Sequence, residues 1–145
     1  MRIAVISDTH DHLPAHLADT IASADEIWHL GDVCYPTVIT RLHKLGPPVR
    51  VVRGNCDDCE DWPLTLDFEQ EGFRIHLEHI PPRKPEVPAD LWLHGHTHVP
   101  RDETVDGTRF LNPGCITRPN RGAPSSFAWL ILERGQPVSW KVVLI

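Results

Sequence analysis

The stretch Arg2-Ile3-Ala4-Val5-Ile6-Ser7-Asp8-Thr9-His10 changes character abruptly. Residues 2–7 form a nearly continuous apolar run rich in β-branched side chains, which reads as a strand buried on both faces. The run stops at a carboxylate, with an imidazole two residues on. Other potential ligands repeat this placement along the chain: Gly31-Asp32 follows Ile27 to Leu30, Gly54-Asn55 follows Val49 to Val52, and His79 follows Ile75 to Leu77. Gly95-His96-Thr97-His98 follows Leu91 to Leu93, where two imidazoles can face one small volume only if the chain has just left a strand and turned. Open α/β sheets keep their sites at strand ends. A single histidine pair would be weak evidence, whereas five such strand ends point to a metal.

The intervening segments predict how those strands are joined. Pro14 stands in the first turn of a helix that places Leu13, Leu17 and Ile21 four residues apart. Pro36 opens a second helix with Val38, Ile39, Leu42 and Leu45 on one side, closed by Gly46 and Pro47. With strands at Glu26 to Leu30 and Val49 to Arg53, the order β-α-β-α-β predicts a parallel sheet with right-handed crossovers. After Asn55 the pattern becomes mainly β. Leu64 to Glu69 and Phe73 to Glu78 pair around Glu71-Gly72, Arg101 to Val105 and Thr108 to Leu111 around Asp106-Gly107, and Phe127 to Leu132 and Val138 to Leu144 around Arg134-Gly135. A second sheet packed on the first is expected, giving an α/β sandwich of two mixed sheets flanked by helices, four layers deep (αββα). The proline-rich stretch Pro81-Pro82-Arg83-Lys84-Pro85, with Pro88 beyond it, cannot be helical and reads as a short, stiff surface loop.

At 145 residues the chain is expected to be a single domain spanning 1–145, large enough for one core. Its 41% hydrophobic and 23% charged residues are ordinary for a globular protein, and disorder is not indicated. The formal charge of -6 argues against a grip on duplex nucleic acid, which depends mainly on Lys and Arg. The apolar run at Ile3 to Ile6 is too short for a signal peptide, and no run approaches the length of a membrane span. A cytoplasmic location without membrane attachment is therefore expected. In that setting Cys34, Cys56, Cys59 and Cys115 read as free thiols.

Taken in order, Asp8-Thr9-His10, Gly31-Asp32, Gly54-Asn55-Cys56-Asp57, His79 and Gly95-His96-Thr97-His98 resemble the motifs of the calcineurin-like metallophosphoesterase superfamily. Within it they are most similar to the small bacterial and archaeal phosphodiesterases with a Gly-Asn-Cys-Asp motif. The resemblance covers Met1 to about Arg121, and Asn112-Pro113-Gly114-Cys115 is similar to a further Asn-Pro-Gly-Ser turn of that subfamily. It implies a two-metal hydrolase cleaving phosphodiesters with a metal-bridging hydroxide. By motif, Asp8, His10, Asp32 and His98 would hold one ion and Asp32, Asn55, His79 and His96 the other, with Asp32, Asn55 and His96 closest to catalysis. Imidazole with carboxylate suits manganese first, with nickel, cobalt, iron or zinc as further candidates, whereas an all-oxygen cage would have suggested Mg or Ca. Two divalent ions less the charges of Asp8 and Asp32 leave a formal excess that a hydroxide and a phosphodiester monoanion would neutralise, which favours a diester over a monoester dianion.

Where many superfamily members carry a histidine placed to protonate the leaving group, this chain has Cys56. Poor turnover of esters with high-pKa leaving groups follows, since general acid catalysis is worth about 10²–10⁴-fold. Asp57 reads either as a partner that orients a ligand histidine or as a turn residue, and Asn112-Pro113-Gly114 either lays its backbone against the site or is only a turn. Arg118 and Arg121 could steer a phosphate, although solvated side chains are the favoured reading. His94 is expected to point away from the metals, His12, His16, His29, His43 and His76 read as surface or core residues, and the Cys56 to Cys59 spacing as coincidence. Ile80 stands where the subfamily usually has glycine after its histidine, and the loop behind it is short, which predicts open metals and broad substrate tolerance. Two rivals to the diesterase remain: a non-catalytic scaffold, as in the retromer subunit of this fold, and a phosphomonoesterase or nuclease of the same superfamily. A small phosphodiester is the expected partner, and homodimerisation is left open.

Overall fold

The computed structural model describes residues 1–145. β1 (Arg2–Ile6), α1 (Ala15–Ile21), β2 (Glu26–His29), α2 (Thr37–His43) and β3 (Val49–Val51) follow in the expected order. β1 pairs with β2 and β2 with β3 in parallel, with Ile3 opposite Glu26 and Ile27 opposite Val49. The next strands are β4 (Thr65–Gln70), β5 (Phe73–Glu78), β6 (Leu91–Leu93), β7 (Arg101–Val105) and β8 (Thr108–Asn112). They form a second five-stranded sheet in the order β4-β5-β6-β8-β7, its three central strands parallel and both edges antiparallel. The closing hairpin, β9 (Ser126–Ile131) and β10 (Ser139–Leu144), returns to the first sheet, where β9 lies antiparallel to β1. That sheet therefore runs β10-β9-β1-β2-β3 and is mixed as well.

Alternation along β1 explains why its sequence is apolar without interruption. Ile3 and Val5 face the second sheet, joining Trp28, Leu30, Ile75, Leu77, Leu93 and Leu111 in the layer between the sheets. Ala4 and Ile6 face the other way, against Leu17 and Ile21 of α1 and Val38 and Leu42 of α2. Both helices lie on this one side. The outer face of the second sheet carries instead the aromatic row His76, Trp92 and Phe110, one residue from each of three adjacent strands. The His76 and Trp92 rings are 3.9 Å apart, Trp92 and Phe110 stack at 5.4 Å, and Ala89, from the end of the proline-rich loop, packs beside them. Residues 79–90 contain no helix or strand, as the prolines require. The expected sandwich of two mixed sheets is present, and its helical cover falls on the first sheet.

No helix is long and apolar enough to cross a membrane.

Candidate metal centre

The parallel strands of both sheets end along one rim of the sandwich, and the predicted ligands lie on the loops that leave them. The backbone there is forced into an unusual shape. Asp8, His10, Asp32, His96 and His98 all have positive φ, between 40° and 66°. For residues with a Cβ each such conformation costs roughly 1–2 kcal/mol, so the surrounding structure must hold it in place. Close packing does part of this. Gly54 lies so near the Asp32 backbone that an added methyl group would collide with it, and one at Gly95 would collide with the Ser7 hydroxyl. The loops can meet only with glycine at these two points.

Backbone hydrogen bonds tie the rim together. The Asp8 N–H donates to the Gly31 carbonyl, the His10 N–H to Asp32 and the Gly95 N–H to His79. The Asp57 carboxylate accepts from the backbone N–H groups of Asp32 (3.0 Å), Gly54 (2.7 Å) and Cys34 (2.7 Å). Asp57 therefore ties the Asp32 loop to its own and orients no histidine, a role that neither of its two readings names. Asn112 acts through its side chain, whose Nδ2 donates to the Gly95 carbonyl and whose Oδ1 accepts from the Gly114 N–H. Its amide, more than its backbone, fixes the loop carrying His96 and His98.

One donor atom from each of Asp8, His10, Asp32 and His98 lies within 4.8 Å of the others. His79 joins them from below, its Nε2 3.3 Å from Asp32 Oδ1. Asn55 and His96 stand at the exposed rim, with His96 Nδ1 3.0 Å from Asn55 Oδ1, and neither makes a hydrogen bond to Asp32. His98 Nδ1 lies 2.7 Å from the Arg118 carbonyl, so Arg118 meets the site through its backbone while its side chain is exposed. His94 is buried on the far side, beside Arg101 and Asn112. His29 and His76 are buried, whereas His12, His16 and His43 are exposed. Ile80 is absent from the residues of positive φ, so the glycine usual at that position is not required for conformation.

The orphaned atoms test whether a cation fits. Asp8 Oδ1, His10 Nε2 and His79 Nε2 are buried and have no hydrogen-bond partner. Leaving three such atoms unsatisfied inside a protein is costly, and divalent cations held among these residues would satisfy them. His79 Nδ1 faces the Leu30 carbonyl at 2.7 Å. This bond places the ring proton on Nδ1 and turns the Nε2 lone pair into the site. Electrostatics agree. Although burial opposes its ionisation, the adjacent His79 ring and the hydrogen bond from the Cys56 N–H hold the Asp32 carboxyl well below the usual carboxylate range. Burial pushes Asp8 up despite the Ser7 hydroxyl at 2.6 Å. The residues present fit divalent metal.

Three contributors escaped the sequence reading. Ser7 hydrogen-bonds Asp8, and Thr117 Oγ1 donates to the Asp8 and Thr9 carbonyls. Cys34 lies 3.4 Å from His10 Nδ1. A signal for it existed, because Cys34 follows Asp32 by the same two residues that separate His10 from Asp8.

The family model for the calcineurin-like phosphoesterase superfamily domain matches residues 1–135. A probable metallophosphoesterase of Methanothermobacter thermautotrophicus is 35% identical over 143 residues, covering 86% of this chain and 83% of that protein. Phosphodiesterase YfcE of Escherichia coli is 31% identical over 160 residues, covering 90% and 87%. The solved structure of YfcE, a phosphoesterase from E. coli, superposes with a TM-score of 0.77 at 26% identity, covering 100% of both chains. Vps29 of Entamoeba histolytica complexed with zinc superposes with a TM-score of 0.81 at 24% identity, covering 99% and 98%, a likeness of fold.

Proposed function

Because the chain belongs to the calcineurin-like phosphoesterase superfamily, we propose that it hydrolyses phosphodiesters with two divalent transition-metal ions, manganese first among them. The observation that carries this reading is the convergence of three buried, partnerless donor atoms, from Asp8, His10 and His79, on Asp32. Asp8, His10, Asp32 and His98 would hold one ion, and Asp32, His79, Asn55 and His96 the other. When bound, such ions polarise the phosphoryl oxygens and make a water molecule nucleophilic near neutral pH.

The protein's own groups supply orientation. The Leu30 and Arg118 carbonyls fix the rings of His79 and His98, and Asp57 fixes the loop of Asp32. Asn55 and His96, exposed at the rim, stand where an ester arrives from solvent. Next to them is the exposed Cys56. Burial and the adjacent Asp32 carboxylate push its thiol pKa up, so it stays protonated but donates its proton weakly. Esters whose leaving groups need little protonation, such as aryl phosphodiesters, are the favoured substrates. A cavity of about 440 Å³ lined by Arg53, Leu64 and Ile80 opens beside Asn55 and His79, room for varied leaving groups. The formal charge of -6 and the two site carboxylates favour a small phosphodiester over a nucleic acid duplex or a monoester dianion.

The test is hydrolysis of a chromogenic aryl phosphodiester by metal-stripped protein titrated with Mn, Ni, Co, Zn and Mg. Activity rising with about two transition-metal equivalents and collapsing in Asp32→Asn and His96→Ala is the expected outcome. The likeness to Vps29 favours a second reading, a non-catalytic scaffold. Metal binding without cleavage of any ester would move the assignment there.

A further inference from the structure

Beside the candidate metal centre lies a second group of donors, and two of its three members, Cys34 and Cys56, are not ligands in the phosphoesterase reading. One donor atom each from His10, Cys34 and Cys56 falls within 4.8 Å of the others, and Cys34 Sγ is 3.4 Å from His10 Nδ1. Tetrahedral zinc, with bonds of about 2.3 Å to sulfur and 2.0–2.1 Å to nitrogen, needs such donors roughly 3.5–3.8 Å apart.

The backbones that carry the two thiols are each held by a carboxylate. The Cys34 N–H donates to Asp57 Oδ1 at 2.7 Å, and Cys34 has a φ of 70°. The Cys56 N–H donates to Asp32 Oδ1 at 2.9 Å. Both open onto a cavity of about 450 Å³ that Asp11, Asp58 and Cys59 also line, a concave and acidic entrance for a cation.

We infer that Cys34, Cys56 and the Nδ1 atom of His10 form a second site, sharing His10 with the first, for a thiophilic ion such as zinc or cadmium. Sulfur donors select soft ions, whereas the carboxylate and imidazole set next to them suits manganese. On binding, each thiol gives its proton to solvent as a metal–sulfur bond forms, and His10 donates the Nδ1 lone pair with its ring proton on Nε2. His10 Nε2 points the other way, 3.8 Å from Asp32 Oδ2. A ring whose proton is on Nε2 cannot ligate through that atom, so the two sites compete for His10. Occupation of the thiol site therefore withdraws a ligand from the neighbouring centre. The geometry favours an ion over a disulfide, because a nitrogen donor and two carboxylates surround the sulfurs and a disulfide would use neither.

The test is a cadmium titration of the full chain, stripped of metal and kept reduced, followed by the ultraviolet thiolate-to-metal charge-transfer band. A saturable band is expected that is lost in Cys34→Ser and in Cys56→Ser but kept in Cys59→Ser, with folding of each variant checked by circular dichroism. In the unmutated chain, cadmium should protect Cys34 and Cys56 from alkylation while leaving Cys59 open, and cadmium NMR should report mixed sulfur and nitrogen ligation. The inference is overturned by absence of the band, by a band that survives both serine substitutions, by sulfur-only ligation, or by a Cys34–Cys56 disulfide forming in place of the complex. None of these readouts needs turnover, so loss of the hydrolase reading would leave this result standing.

Discussion

At the scale of single residues the site depends on groups that hold ligands as much as on the ligands. Asp57 accepts three backbone N–H bonds from two loops, and Asp57→Asn would leave one of those donors facing an amide N–H. Removing an outer support of this kind costs about 10–100-fold in metal affinity. Competition of the variant against a chelator for manganese should show that loss with the fold intact by circular dichroism. Cys56 makes a different prediction. Replacing the weakly acidic thiol in Cys56→His should raise turnover of alkyl phosphodiesters by about 10²–10⁴-fold while leaving aryl diesters little changed. Equal wild-type rates on the two substrate classes would remove the basis for this expectation. The candidate ligands could be read from sequence because each follows a strand-like run. Their positive φ values could not, because no local feature of Asp8 or His98 demands that conformation; contacts with distant loops impose it.

At the scale of elements, the two short helices are kept by packing rather than by intrinsic stability. α1 and α2 have seven residues each and no side-chain cap, well below the length at which an isolated helix persists. What holds them is their apolar face on the first sheet. Leu42 of α2 is fully buried there, and Leu42→Ala should cost about 2–5 kcal/mol in urea unfolding. A cost within experimental error would mean that α2 contributes little to the core. Element identity was largely legible, since β-branched runs, prolines at helix starts and the pairs Glu71-Gly72, Asp106-Gly107 and Arg134-Gly135 are local signals. The side on which helices lie was not. Trp92 and Phe110 look like core residues in sequence, and only their stacking with His76 shows that the second sheet covers its outer face with its own aromatics.

For the whole molecule, the buried histidine under the rim ties stability to pH. His29 is fully buried, its Nδ1 accepting from the Gly31 N–H and its Nε2 3.0 Å from the Thr9 hydroxyl. Burial, with His79 nearby, lowers its pKa to about 3, so the folded state keeps it neutral while the unfolded chain takes up a proton near pH 6.5. The unfolded state therefore binds more protons between those values. Its contribution to stability is complete above about pH 6.5 and falls by up to about 1.4 kcal/mol per pH unit below it. Denaturation of metal-free protein across that range should give a shallower pH slope for His29→Gln than for wild type, and identical slopes would place the titration elsewhere. The sequence by itself determined the strands, the helices, and the candidate ligand types and their positions after strands, because those are set by side-chain chemistry and by periodicity over a few residues. Only the tertiary structure decided that the last hairpin joins the first sheet, that Asp57 and Asn112 tie distant loops, and that Cys34 meets Cys56 beside His10. Those facts depend on which distant segments pack together, and no local pattern encodes a distance between residues far apart in the chain.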